Sequence, residues 1–188
     1  MPVGGEASRD RSRIVGTAAI AAGIAFIAGE VVNRVDPDID FVACATNAAY
    51  LVNVIDLLKY GLIGSTLLLF VWMLRDGLSR PARIVGQVAG IGFIVTGTAN
   101  GIEHCAHMDA LGLIYVIGIL IGLLGTVAFG VLLARSRTVP PWTGWVLSIG
   151  VLAFLTKAQE GGAAVFGVAL IAAGIRLVTN PSINHPAQ

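Results

Sequence analysis

Six apolar stretches, at 14–32, 47–74, 84–104, 111–134, 142–156 and 161–178, alternate with short polar segments along the 188-residue chain. A helix rises 1.5 Å per residue and needs about 20 residues to cross roughly 30 Å of hydrocarbon, so five of the six have the length of a membrane span. The pattern predicts an all-α membrane bundle of six transmembrane helices at 14–178, with polar tails at 1–13 and 179–188. The fifth stretch is short, and either dips into the membrane or is partly buried in protein. Pro140-Pro141 directly precedes it, as suits a helix's first turn, and Trp142 and Trp145 are placed to anchor at the interface. The first stretch is too long for the apolar core of a signal peptide and is read as a retained span.

The polar segments are sorted by charge. Arg9, Arg11, Arg13, Arg75, Arg80, Arg83, Arg135, Arg137 and Arg176 flank one set of span ends, whereas only Arg34 and Lys157 flank the other. By the positive-inside rule both termini are cytoplasmic, as in a multi-pass protein of a bacterial cytoplasmic membrane. Glu30, Asp36, Asp38, Asp40, Asp56, Glu103, Asp109 and Glu160 gather in the opposite, outer half. Acidic residues contribute little to orientation, so their clustering asks for another reason. With 12% charged residues the chain cannot cover a water-soluble surface, and a formal charge of +1 lacks the basic excess of a nucleic-acid binder. Twenty-four glycines suit helices that pack through small side chains, since lipid offers no hydrophobic reason to associate.

Arg13-Ile14-Val15-Gly16 and Arg83-Ile84-Val85-Gly86 open the first and third spans, and each span ends near a glutamate, Glu30 or Glu103. Three tandem helical hairpins would produce such a repeat. The Arg-Ile-Val-Gly opening, the acidic outer loop, the basic loop after the second span and the segment Val139-Pro140-Pro141-Trp142-Thr143-Gly144-Trp145 resemble a bacterial six-span membrane family of unknown function. The resemblance implies the fold and no activity.

Candidate chemistry lies in the second and third spans. The second contains Asn53, Asp56, Lys59 and Tyr60; counted from Asn47, Asp56 lies about 13 Å and Lys59 about 18 Å deep. Ionisable groups at such depth face protein or water and need a partner. Three residues apart, Asp56 and Lys59 can pair along one face, either simply holding helices in register or forming part of a ligand-contacting or proton-handling site. In the third span Thr96, Asn100, Glu103 and His107 share one face, with His104 at its flank. This polar stripe is expected to oppose Asp56 and Glu30 and, with Asn53, Lys59 and Tyr60, to line a pocket opening to the outer face. Glu103, His104 and His107 also fit an ordinary interfacial position near the headgroups.

Other constellations compete for the same segment. His104, Cys105, His107 and Asp109 offer metal-ligand chemistry within six residues, but no second histidine-rich segment completes a site. Cys44 and Cys105 both fall on the oxidising side and can form a disulfide, which would remove Cys105 as a ligand. Asp36, Asp38 and Asp40 read as a solvated loop, because the glycine and distal glutamate of a calcium loop are missing. Phosphate-binding, dinucleotide-binding, serine-hydrolase and zinc-protease motifs are absent, histidines on opposed spans for haem are lacking, and no cofactor is expected.

Three functions follow. The leading one is a membrane binding protein or accessory subunit holding a small lipophilic or amphipathic ligand between the second and third spans. Its partners would be a membrane lipid or lipophilic molecule, with a homo-oligomer or a membrane complex compatible and nucleic acid not expected. The second is a membrane-embedded isomerase or cyclase acting on an isoprenoid or lipid, with Glu103 or Asp56 as general acid and His107 as base. The third is a proton-coupled transporter using the same carboxylates as a relay, although paired interrupted helices are not evident.

Overall fold

A computed structural model describes residues 4–35, 47–106, 111–136, 138–157 and 161–179. Six helices account for nearly all of them: α1 (Gly4–Val35), α2 (Asn47–Leu74), α3 (Arg80–Ala106), α4 (Leu111–Ser136), α5 (Pro141–Lys157) and α6 (Gly162–Thr179). No strand occurs among the described residues. Five helices are long and apolar enough to cross a membrane, and α5, at 17 residues, is shorter. Large apolar side chains stand exposed on every helix, among them Ile24, Leu58, Ile91, Leu113, Ile149 and Val168. A water-soluble surface rarely presents apolar patches on that scale, whereas lipid solvates them.

Helix boundaries follow local chemistry rather than the apolar onset. Helix α1 starts ten residues before Ile14, so residues 4–13, which their charge alone would assign to a tail, continue the helix. Helix α3 likewise starts at Arg80 rather than Ile84: the Ser79 hydroxyl accepts the Ala82 N–H at 3.4 Å, and Pro81, having no N–H, sits where none is needed. At α5, Pro140 O accepts the Thr143 N–H at 2.9 Å, and Pro141 opens the helix as the sequence predicts. Gly161, with φ of 103°, supplies the left-handed turn into α6.

The helices form a closed ring in which each packs on its chain neighbours and α6 returns to α1. Neighbours run antiparallel. One end of the ring therefore gathers the start of α1, α3 and α5 with the end of α2, α4 and α6, where Arg13, Arg75, Arg80, Arg83, Arg135 and Arg176 are exposed. This is the basic end; Glu30, Asp56 and Glu103 lie towards the other, acidic end.

Glycine sets the helix spacing. Gly64 meets the Gly90 carbonyl across α2 and α3, Gly130 meets Gly144 across α4 and α5, and Gly167 and Gly174 meet Gly23 and Gly16 across α6 and α1. Glycine on glycine also joins α3 to α4, where a Cβ on Gly92 would lie 2.9 Å from the Gly122 N and 3.0 Å from the Gly118 carbonyl. Hydroxyls buried in the helices mostly bond their own backbone: Thr66 to Leu62 O, Thr96 to Gly92 O and Thr126 to Gly122 O. The Ser148 hydroxyl instead crosses from α5 to Val127 O of α4 at 3.0 Å.

Inside the ring, the basic-end half is packed with Ile63, Leu67, Phe70, Leu74, Phe129, Leu133, Leu170 and Leu177. Above it lies a layer with one aromatic ring from each helix. Phe26 of α1 contacts Tyr60 of α2, Phe154 of α5 and Phe166 of α6, with centroids 5.0 to 6.2 Å apart, and Tyr60 continues the layer to Phe93 of α3 and Tyr115 of α4. Near-perpendicular Phe26 pairs and a Tyr60–Phe93 pair inclined by 14° are the geometries that ring quadrupoles favour.

Candidate functional site

On the acidic-end side of the aromatic layer, α2 delivers a charge pair into the interior. Three residues of helix bring Lys59 Nζ to 2.5 Å from Asp56 Oδ1, with the lysine side chain 9% and the aspartate 23% exposed. The ammonium also lies 4.7 Å from the Tyr60 ring centroid and 5.6 Å from that of Phe26. Aromatic faces attract a cation more strongly where water is excluded. Tyr60 and Tyr115 are hydrogen-bond partners, and the Asp56 carboxylate acts electrostatically on both phenols. A Cβ on Gly29 of α1 would sit 3.9 Å from the lysine Nζ, so the lysine packs against α1.

The remaining predicted residues take separate positions. Glu30 accepts the Arg34 Nε–H at 2.8 Å one turn along α1, and this pair faces α6, since a Cβ on Gly161 would lie 2.8 Å from Arg34 Nη2. Glu103 faces α4, where a Cβ on Gly112 would lie 2.7 Å from its Oε1. Both carboxylates therefore abut the first turn of a neighbouring helix, the positive end of its dipole. Asn53 and Asn100 are buried. Thr96 spends its hydroxyl on its own backbone and packs on Gly118 of α4. The structure thus joins Asp56, Lys59 and Tyr60 into one cluster, and directs Glu30 to α6 and Glu103 to α4.

His107, Asp109 and Cys44 lie outside the described residues, as do the side chains of His104 and Cys105, so the metal and disulfide expectations fall there. No group of three metal-binding side chains occurs among the described residues.

A cleft of about 240 Å³ opens laterally between α2 and α3 near the acidic end, lined by Tyr50, Asn53, Val54, Leu57, Thr98, Gly101 and Ile102. It exists because Gly101 has no side chain: a Cβ there would meet no heavy atom within 4 Å. Tyr50, Asn53 and Leu57 follow helical spacing on one face of α2, about 10 Å from end to end at 1.5 Å per residue. Of the predicted site residues, Asn53 alone lines this cleft, while Asp56 and Lys59 point into the ring. Sequence reasoning passed over Tyr50, Gly101 and Tyr115. The available signals were the Tyr50–Asn53–Leu57 spacing and a lone phenol near the start of α4, the most apolar helix.

No family model, no curated protein and no solved structure matches the chain.

Proposed function

We propose that this is an integral membrane protein of a bacterial cytoplasmic membrane, spanning six times with both termini cytoplasmic, that binds a small lipophilic or amphipathic molecule in its outer half. The observation that carries the reading is the lateral cleft between α2 and α3. Its walls are mostly apolar, and Tyr50 and Asn53 supply polar groups towards the acidic end. Small-molecule sites commonly exceed about 300 Å³, so the cleft suits one chain or small ring of a ligand whose polar end lies at the interface beside Tyr50. The Asp56–Lys59 pair stands behind the cleft wall, with the lysine packed against α1. The transport reading draws little support, because the interior towards the basic end is filled by phenylalanine and leucine and its buried polar side chains among the described residues are uncharged.

Gly101→Phe tests the proposal, since a Cβ at position 101 would meet no heavy atom within 4 Å and the side chain built on it occupies the cleft. Photolabelling by a diazirine-bearing fatty acid or isoprenol, mapped by peptide mass analysis, should reach 50–57 and 98–102 in the wild type. The variant should lose labelling about tenfold with an unchanged thermal midpoint. Equal labelling of both proteins would remove the cleft as the site.

A further inference from the structure

We propose a second site, for an anionic glycerophospholipid, at the basic end between α3 and α4: one acyl chain lies in a lipid-facing groove and the phosphate is held between Arg80 and Arg135. The groove measures about 440 Å³, is almost wholly apolar, and is lined by Ile84, Val85 and Val88 of α3 with Leu120, Ile121, Leu124, Gly125 and Ala128 of α4. Gly125 packs on Ala89, bringing the two helices close. The small Gly125 and Ala128 side chains leave a depression between the larger ridges on either side. Along α4 the groove covers about 12 Å, most of the roughly 15 Å that one leaflet of hydrocarbon contributes.

The polar end of the groove is what selects its occupant. Arg80 stands one turn before Ile84 on α3, and Arg135 stands two turns beyond Ala128 on the groove-lining face of α4. Because the helices run antiparallel, with Ala89 opposite Gly125 and Gly86 against Phe129, the two arginines come to a common level at the groove's basic end. Both are exposed, and neither has a carboxylate partner among the described residues. The carboxylate of Asp76, also at this end, is taken up by Arg75 at 3.5 Å. Two guanidiniums at the mouth of an acyl-sized groove complement a phosphate diester, and they repel the cation that a zwitterionic headgroup would add.

Native mass spectrometry of the full chain, titrated with phosphatidylglycerol and phosphatidylcholine of identical chains, reads the site directly. The wild type should retain phosphatidylglycerol at least about tenfold better, and R80Q/R135Q should weaken its binding about thirtyfold. R13Q/R176Q removes the same charge from α1 and α6 and should change binding less than about threefold. A128W fills the groove from its exposed side and should weaken phosphatidylglycerol about tenfold while the thermal midpoint holds. Equal affinity for the two lipids, equal losses in the two double-arginine variants, or undiminished binding to A128W would each overturn the proposal.

Discussion

Gly167→Leu should open the ring between α6 and α1, leaving a chain that is still helical but has lost its compact tertiary structure. Even a Cβ at position 167 would lie 2.6 Å from the Gly23 carbonyl and 2.9 Å from Ile27, and one at Gly174 would lie 2.5 Å from the Gly16 carbonyl. The nearest obstructing atoms are backbone carbonyls, which cannot rotate away, so the helices must separate along the seam. Gly167→Ala should therefore cost about 2 kcal/mol, within the usual range for overpacking, and leucine should exceed what closure of the seam contributes. Helicity by circular dichroism should survive, because helices in lipid satisfy their backbone internally whether or not they pack. A cysteine cross-link between α1 and α6 should then fail to form. Gly101→Ala and Gly61→Ala are the controls: no heavy atom lies within 4 Å of the added methyl, and both should gain about 0.5–1 kcal/mol from reduced backbone freedom. Equal thermal shifts for Gly167→Ala and Gly101→Ala would mean that the seam is not tight.

The second large effect belongs to Asp56 and Lys59. Asp56→Asn should destabilise the bundle by about 3 kcal/mol, because it leaves an ammonium enclosed by Phe26, Tyr60 and Gly29 without its counter-charge. That figure is the low end for a broken buried pair, since the 23% exposure of Asp56 lets water and headgroups compensate in part. Lys59→Met should cost less, as the carboxylate left behind is the more exposed partner. Removing both charges in Asp56→Asn/Lys59→Met should bring stability back to within about 1 kcal/mol of the wild type, because neither desolvation nor attraction then remains. Denaturant-driven unfolding of the four proteins in one detergent gives the coupling. Additive losses would show that the two side chains stabilise the fold separately and that their contact contributes nothing.

The Asp56–Lys59 pair was legible before any coordinates, since residues three apart on a helix meet wherever the helix lies. The shared pocket expected of Asp56, Glu30 and Glu103 was not decidable in the same way. Which neighbouring helix each carboxylate faces depends on how its own helix is rotated in the ring: Glu30, bonded to Arg34 one turn along α1, turns to α6, while Glu103 turns to α4. The lateral cleft was harder still to foresee, because it is made by the side chain that Gly101 lacks. Helix starts also escaped the hydropathy pattern at α1 and α3. Apolar onset at Ile14 and Ile84 marks where hydropathy rises, while capping and helix propensity govern where hydrogen bonding begins.

Order along the chain alone determined that this protein is helical, apolar and divided between an arginine-rich and an acidic end. Hydropathy and backbone hydrogen bonding act within a segment, and charge sorting acts at its margins, so both can be read from residues taken in sequence. Tertiary structure decided the closure of α6 on α1, the aromatic layer drawn from all six helices, and the grooves on either side of α3. Lipid solvates every apolar face equally well, so which faces meet is settled by close steric fit at positions such as Gly23 and Gly167, and that fit exists only once both helices are in place.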